Sequence, residues 1–215
     1  SPDGRLGAWT SAGSLPQGCT NPNAVVWRGR LYVAGCGDVG GIVGKLDSAP
    51  VGERGALGGW SRLALPVKLN NSGLLAAGGR LWLLGGGLEE GGYTDAIYAV
   101  ALGDDGVPLR AEPAGRLPKG LAAFAAATQD STIWLAGGVF QKGPGKILLS
   151  DAVYTAGVGA DGRLGRWSRN AYRLVPAVSA SGGAAGGRFF TFGGETDGAA
   201  LSDSIQSILS RRRAP

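Results

Sequence analysis

Arg80-Leu81-Trp82-Leu83-Leu84-Gly85-Gly86 is the stretch that decides the fold, because the chain repeats it. An apolar strand with an aromatic three residues before a glycine doublet returns with Tyr32 before Gly35-Cys36, Trp134 before Gly137-Gly138, and Phe190 before Gly193-Gly194. The first glycines stand 50, 52 and 56 residues apart along the 215-residue chain. Units of that length, built from short strands, predict an all-β chain folded as a β-propeller of four four-stranded blades.

Outward from the doublet, the third copy reads most clearly. Ala122 to Thr128 and Thr132 to Ala136 are two short strands with a polar turn at Gln129-Asp130 between them, a hairpin signal. A longer loop, Val139 to Leu149, leads to a third strand at Ser150-Asp151-Ala152-Val153-Tyr154. Asp161-Gly162 then predicts a turn into a fourth strand through Leu164-Gly165-Arg166-Trp167. The third-strand start returns as Thr94-Asp95-Ala96, Ser202-Asp203-Ser204 and, in worn form, Asp47-Ser48-Ala49. A proline step (Pro16, Pro66, Pro118, Pro176) follows each fourth strand, where the lost donor suits a crossing between blades. The blades are expected at 13–60, 61–112, 113–168 and 169–210, with 211–215 a basic tail. The aromatics before the doublets are expected to fill the wedges between blades, with sugar stacking by Tyr32, Trp82 or Trp134 as the alternative.

The ends carry a further expectation. Asp95 precedes Gly106, and Asp151 precedes Gly162, by eleven residues; the same step from Asp203 reaches position 214. The fourth strand of the last blade is therefore expected from residues 3–11, where Gly4-Arg5-Leu6-Gly7-Ala8-Trp9 repeats the fourth-strand pattern. Four outcomes stay open: a ring closed within one chain, two chains in one eight-bladed ring, a filament through exchange of the N-terminal strand, and a piece of a longer propeller.

Arg30-Leu31-Tyr32-Val33-Ala34-Gly35 and its echo at Arg80–Gly86 resemble the kelch repeat, a hydrophobic strand closing on a diglycine with a Tyr and a Trp further along. The resemblance spans essentially the whole chain and is to a divergent, bacterial-type form. Tyr154 and Trp167 stand 13 residues apart, wider than the kelch pattern, Cys36 replaces a glycine, and Gln206 replaces the tyrosine. It implies a propeller.

Composition narrows the chemistry. With 41 glycines, 44% hydrophobic and 17% charged residues, the chain reads as turn-rich and folded. Of the net charge of +5, Arg211, Arg212 and Arg213 supply three, leaving scattered charges on the body and no nucleic-acid-binding surface. No run approaches the ~20 apolar residues of a membrane span. The absence of histidine excludes Ser-His catalysis, a histidine base and histidine-held metals, including the copper chemistry of some kelch-bearing enzymes. No cofactor and no metal are expected.

Cys19 and Cys36 flank one hairpin whose turn falls near Arg28-Gly29, which brings them close enough for a disulfide; two buried thiols are the alternative. A disulfide, a start at Ser1 and the lack of any methionine point to an extracytoplasmic, secreted or surface, setting. Asn70-Asn71-Ser72 also fits a glycosylation sequon. The loops after the diglycines should share one face, with Glu89, Glu90, Tyr93, Phe140, Gln141, Lys142, Glu195 and Asp197 as its binding residues. The function expected is a non-enzymatic interaction module whose partner is a protein or a second copy of the chain. A carbohydrate-binding or carbohydrate-modifying propeller is the alternative, with glycan as the ligand.

Overall fold

The computed structural model describes residues 8–38, 40–141, 146–196 and 200–209. They form four small antiparallel sheets arranged as a four-bladed β-propeller. Blade 1 comprises Asn23–Trp27, Arg30–Ala34, Lys45–Pro50 and Ser61–Ala64; blade 2 comprises Gly73–Ala77, Arg80–Leu84, Ala96–Leu102 and Pro108–Arg116. Blade 3 is Ala125–Gln129, Thr132–Ala136, Ala152–Gly157 and Ser168–Arg173, and blade 4 has Ser181–Ala185, Arg188–Phe192 and Ile205–Leu209.

Each innermost strand turns into the second through two residues of positive φ: Arg28-Gly29, Gly78-Gly79, Asp130-Ser131 and Gly186-Gly187. That geometry matches the right-handed twist of the flanking strands, so the hairpins stay tight. In blade 3 the turn lies one residue later than the sequence indicates, because Gln129 pairs with Thr132.

Two expectations about local structure are corrected. The outer strands do not run through Leu-Gly-x-Trp; they begin after the tryptophan, at Ser61 and Ser168. The Asp161-Gly162 turn closes a loop in which Gly159 N–H donates to Arg163 O at 2.9 Å, and Gly165 N–H then donates to Gly157 O at 2.8 Å. Leu164 makes only an isolated bridge to Val158, and Trp167 packs against the core between blades 2 and 3. The long loop of blade 3 also carries its own hairpin, Val139–Gln141 with Ile147–Leu149.

The core lies between blades rather than within them. Tyr32 of blade 1 clusters with Leu81 of blade 2, Trp82 of blade 2 with Ile133 of blade 3, and Trp134 of blade 3 with Phe189 of blade 4. The Trp134 and Phe189 rings stack with centroids 5.6 Å apart. Tyr32, Trp82 and Trp134 are buried, as expected for wedge-fillers, which removes them as sugar platforms. Phe190, in the same position of blade 4, is half-buried and stacks instead on Phe192 of its own strand.

Innermost strands pack in the series blade 1, blade 2, blade 3, blade 4. Among the described residues no comparable packing joins blade 4 to blade 1. Residues 3–7 of the expected closing strand lie outside the described residues. Its described part, residues 8–11, belongs to no strand, and Trp9 is 99% exposed. The basic tail also lies outside them.

Cys19 and Cys36 form a disulfide with Cα atoms 5.1 Å apart. It ties the segment leading into blade 1 to the end of its second strand, where Gly35 ends the strand at φ +75°. The sequence separation of 17 residues corresponds to about 3 kcal/mol of lost unfolded-state entropy. Urea denaturation of a Cys19→Ser/Cys36→Ser variant should show a stability loss of about that size, and reductant should have no further effect on it.

Candidate functional site

The glycine doublets define one end of the propeller. A Cβ at Gly85 would sit 2.5 Å from Leu121 O, one at Gly137 would sit 2.8 Å from Ala177 O, and one at Gly35 would sit 2.7 Å from Ser72 Oγ. These three doublets therefore abut the segment that leads into the next blade, a separation only glycine allows, while Gly193-Gly194 meets residues of its own blade. Gly86 N–H donates to Leu121 O and Gly138 N–H to Ala177 O, at 2.8 and 2.9 Å, so backbone bonds fix the loops that follow.

Those loops carry the residues singled out from the sequence. Glu89 is exposed and forms an ion pair with Lys68 at 2.7 Å; its Oε1 also lies beside Gly41 in the loop of blade 1. Gln141 Oε1 lies beside Gly92 in the loop of blade 2. The loops of blades 1, 2 and 3 thus abut in sequence, with Glu89 at one junction and Gln141 at the other. Glu90 is exposed, and Tyr93 is half-buried, its backbone bridged to Gly87.

Phe140 is half-buried beneath Lys119, whose Nζ stands 3.1 Å from the ring centre. Burial pulls the Lys119 ammonium below the usual lysine range; Arg169 adds to this and Asp151 opposes it. Glu195 is exposed, and its backbone bridges Val178 and Leu201, so its described contacts stay within blade 4. Lys142 and Asp197 lie outside the described residues. The sequon asparagine, Asn70, packs its Oδ1 against Gly87.

Two features escaped the sequence reading. In three blades an Asp at the third strand pairs with an Arg of the outer strand: Asp95 with Arg116 and Asp151 with Arg169 and Arg173, each just before its strand, and in blade 1 Asp47 with Arg62. Asp47 lies inside Lys45–Pro50, and the strand register puts Gly44 in the place of Asp95 and Asp151, which corrects the expectation that Asp47 opens that strand. Two of these arginines stand two residues after the repeat tryptophan, and that spacing was the available signal. The hydrogen bonds that Arg62 donates to the Asp47 carboxylate hold its guanidinium above its already high range. The second feature is a positive-φ residue before each innermost strand: Asn21, Asn71, Ala123 and Ser179. Ala123 N–H donates to Asn71 O, and Ser179 N–H donates to Ala123 O, linking three successive blades.

A groove between blades 3 and 4 encloses about 450 Å³ at Tyr172, Leu174, Phe189 and Ile208. It continues into about 950 Å³ at Gln129, Trp134, Arg166 and Leu209. The Nε1 of Trp134 and the Oε1 of Gln129 are buried without a hydrogen-bond partner. Among the described residues no group of three His, Cys, Asp or Glu side chains is placed to hold a metal ion, and no helix is long and apolar enough to cross a membrane.

By fold and core, the chain is of the β-propeller class. A solved structure described as "Structure of YjhT" is similar to it over 88% of this chain at 17% identity, with a TM-score of 0.69. That similarity extends over 63% of the YjhT chain, so this chain spans less than two thirds of it, and it shows a shared fold. No protein-family model and no curated protein matches the chain.

Proposed function

We propose that the chain is a kelch-like, non-enzymatic interaction module working in an extracytoplasmic setting, with the loop face after the glycine doublets as its contact surface. The observation that carries this reading is the abutment of successive loops at Glu89 beside Gly41 and Gln141 beside Gly92. The loops of blades 1, 2 and 3 become one joined polar surface, which orders little on binding. Glu89 is neutralised by Lys68, which suits a recognition contact better than a catalytic carboxylate. The disulfide supports an oxidising compartment.

The test compares cross-linked partners of the wild-type chain with those of a Glu89→Lys/Glu90→Lys/Gln141→Ala/Glu195→Lys variant. All four residues are exposed, so each substitution should cost about 0.5 kcal/mol or less, and Glu89→Lys up to ~1 kcal/mol through its lost pair with Lys68. Loss of the same specific partners from the variant is the expected outcome. Unchanged capture would remove the loop face as the contact surface, and selective binding on a glycan array would favour a lectin instead.

A further inference from the structure

We propose that the groove between blades 3 and 4 binds residues 3–11 of a second copy of this chain. They would serve as the turn and outer strand of blade 4 and seat the second copy's blade 1 against blade 4. The proposal deepens the interaction reading by naming one partner, and it rests on a surface separate from the loop face.

The blade interfaces supply the template. At each, the aromatic of one blade meets the preceding strand position of the next: Tyr32 meets Leu81, Trp82 meets Ile133, Trp134 meets Phe189. The next pair in that series would be Phe190 and Leu31, both half-buried, on the two sides of the propeller that no described blade covers. The two open sides are therefore complementary halves of an interface the chain already makes three times. Such a head-to-tail contact builds a larger ring if the rotation closes and a filament if it does not.

The groove repeats a second element of the template. In blade 2 the turn before the outer strand covers the aromatic of blade 1, so that the Tyr32 hydroxyl donates to Gly106 O at 2.8 Å. In blade 3 the corresponding Gly162 sits on Arg80 of blade 2. Trp134 occupies the position of Tyr32 and lines the groove, and its Nε1 is buried without an acceptor. A turn carbonyl placed there would satisfy it.

Sequence identifies what fits. Asp3-Gly4-Arg5-Leu6-Gly7-Ala8-Trp9 matches Asp161-Gly162-Arg163-Leu164-Gly165-Arg166-Trp167 at every position but Ala8. In blade 3 that stretch puts Leu164 and Trp167 against the core between blades, and Leu6 and Trp9 would do the same against Trp134 and Leu209. The Ile205–Leu209 strand offers the edge: among the described residues it pairs on one side only, with Ile205 67% and Leu209 58% exposed. The chain's own N-terminus would fill the groove but leave Phe190 and Leu31 uncovered. A second copy supplies Leu31 and the strand together.

Light scattering with size exclusion on the full chain reads the result. The expected mass is twice 21.6 kDa or more, falling to 21.6 kDa for Leu209→Arg, an exposed site whose substitution leaves folding intact. A labelled peptide of residues 1–12 should bind the chain lacking those residues, and its Trp9→Ala form should bind at least ~30-fold more weakly. A monomeric full chain overturns the proposal, including one destabilised by the truncation, which would mean closure within the chain. Assembly that Leu209→Arg leaves unchanged overturns it too. Loop-face substitutions should leave the mass unaltered, so this proposal and the partner reading fail separately.

Discussion

Trp82→Ala should be among the most damaging single substitutions in the chain, lowering stability by about 4 kcal/mol. The indole is buried between blades 2 and 3, in a cluster with Leu75, Leu84, Ile97 and Ile133, and its N–H donates to Ala77 O at 3.0 Å. Truncation removes the transfer energy of the ring and leaves a cavity whose walls are sheets held by their own ladders, so they cannot collapse to fill it. At ~2–4 °C per kcal/mol for a chain of this size, the melting temperature should fall by ~8–16 °C. Phe190→Ala is the internal control. It removes an aromatic from the same repeat position, but a half-buried one, and should cost about 1 kcal/mol in the isolated chain. Calorimetry on both variants checks the contrast; equal losses would mean that blade 4 is as enclosed as blade 2.

The repeat made the blades legible because each mark answers a steric demand that recurs. Only glycine tolerates the positive φ and close backbone approach at Gly85 and Gly137, and only a large ring fills the wedge at Trp82. The outer strands were misplaced because Leu-Gly-x-Trp has the alternation of a strand while its hydrogen bonds go to a loop; Leu164 and Trp167 point into the core without joining a ladder. Positive φ at Ala123 left no mark, since alanine gives no hint of a left-handed backbone. Its conformation is imposed by the hydrogen bonds to Asn71 and from Ser179 on neighbouring blades, which is tertiary information.

The candidate site divides in the same way. Glu89 and Gln141 could be placed on one face from their distance to the doublets, because the doublets fix where each loop leaves its blade. The ion pair of Glu89 with Lys68 could not, since Lys68 lies on the segment that enters blade 2, 21 residues away. The groove between blades 3 and 4 was foreshadowed only by the chain's outer-strand count, while its lining depends on how two twisted sheets splay.

Asp47→Ala should cost about as much as the loss of Trp82, about 4 kcal/mol, for an electrostatic reason. Asp47 and Lys45 share the third strand of blade 1 and are only 2% and 5% exposed. The carboxylate accepts two hydrogen bonds from Arg62, at 2.6 and 3.0 Å, and lies 3.7 Å from Lys45 Nζ. Removing it strands a buried ammonium whose remaining partner is Gln17 Oε1 at 3.1 Å, a neutral acceptor that cannot offset the desolvation of a full charge. The Arg110–Glu112 pair sets the scale at the surface: with both side chains largely exposed, Arg110→Ala should cost at most ~1 kcal/mol. If uncompensated charge is the cause, a Lys45→Met/Asp47→Leu variant should recover most of the loss, because apolar side chains of similar volume replace both ions. Urea titrations of the single and double variants decide it. A double variant as unstable as the single one would place the cost in lost packing around Leu46 rather than in the stranded charge.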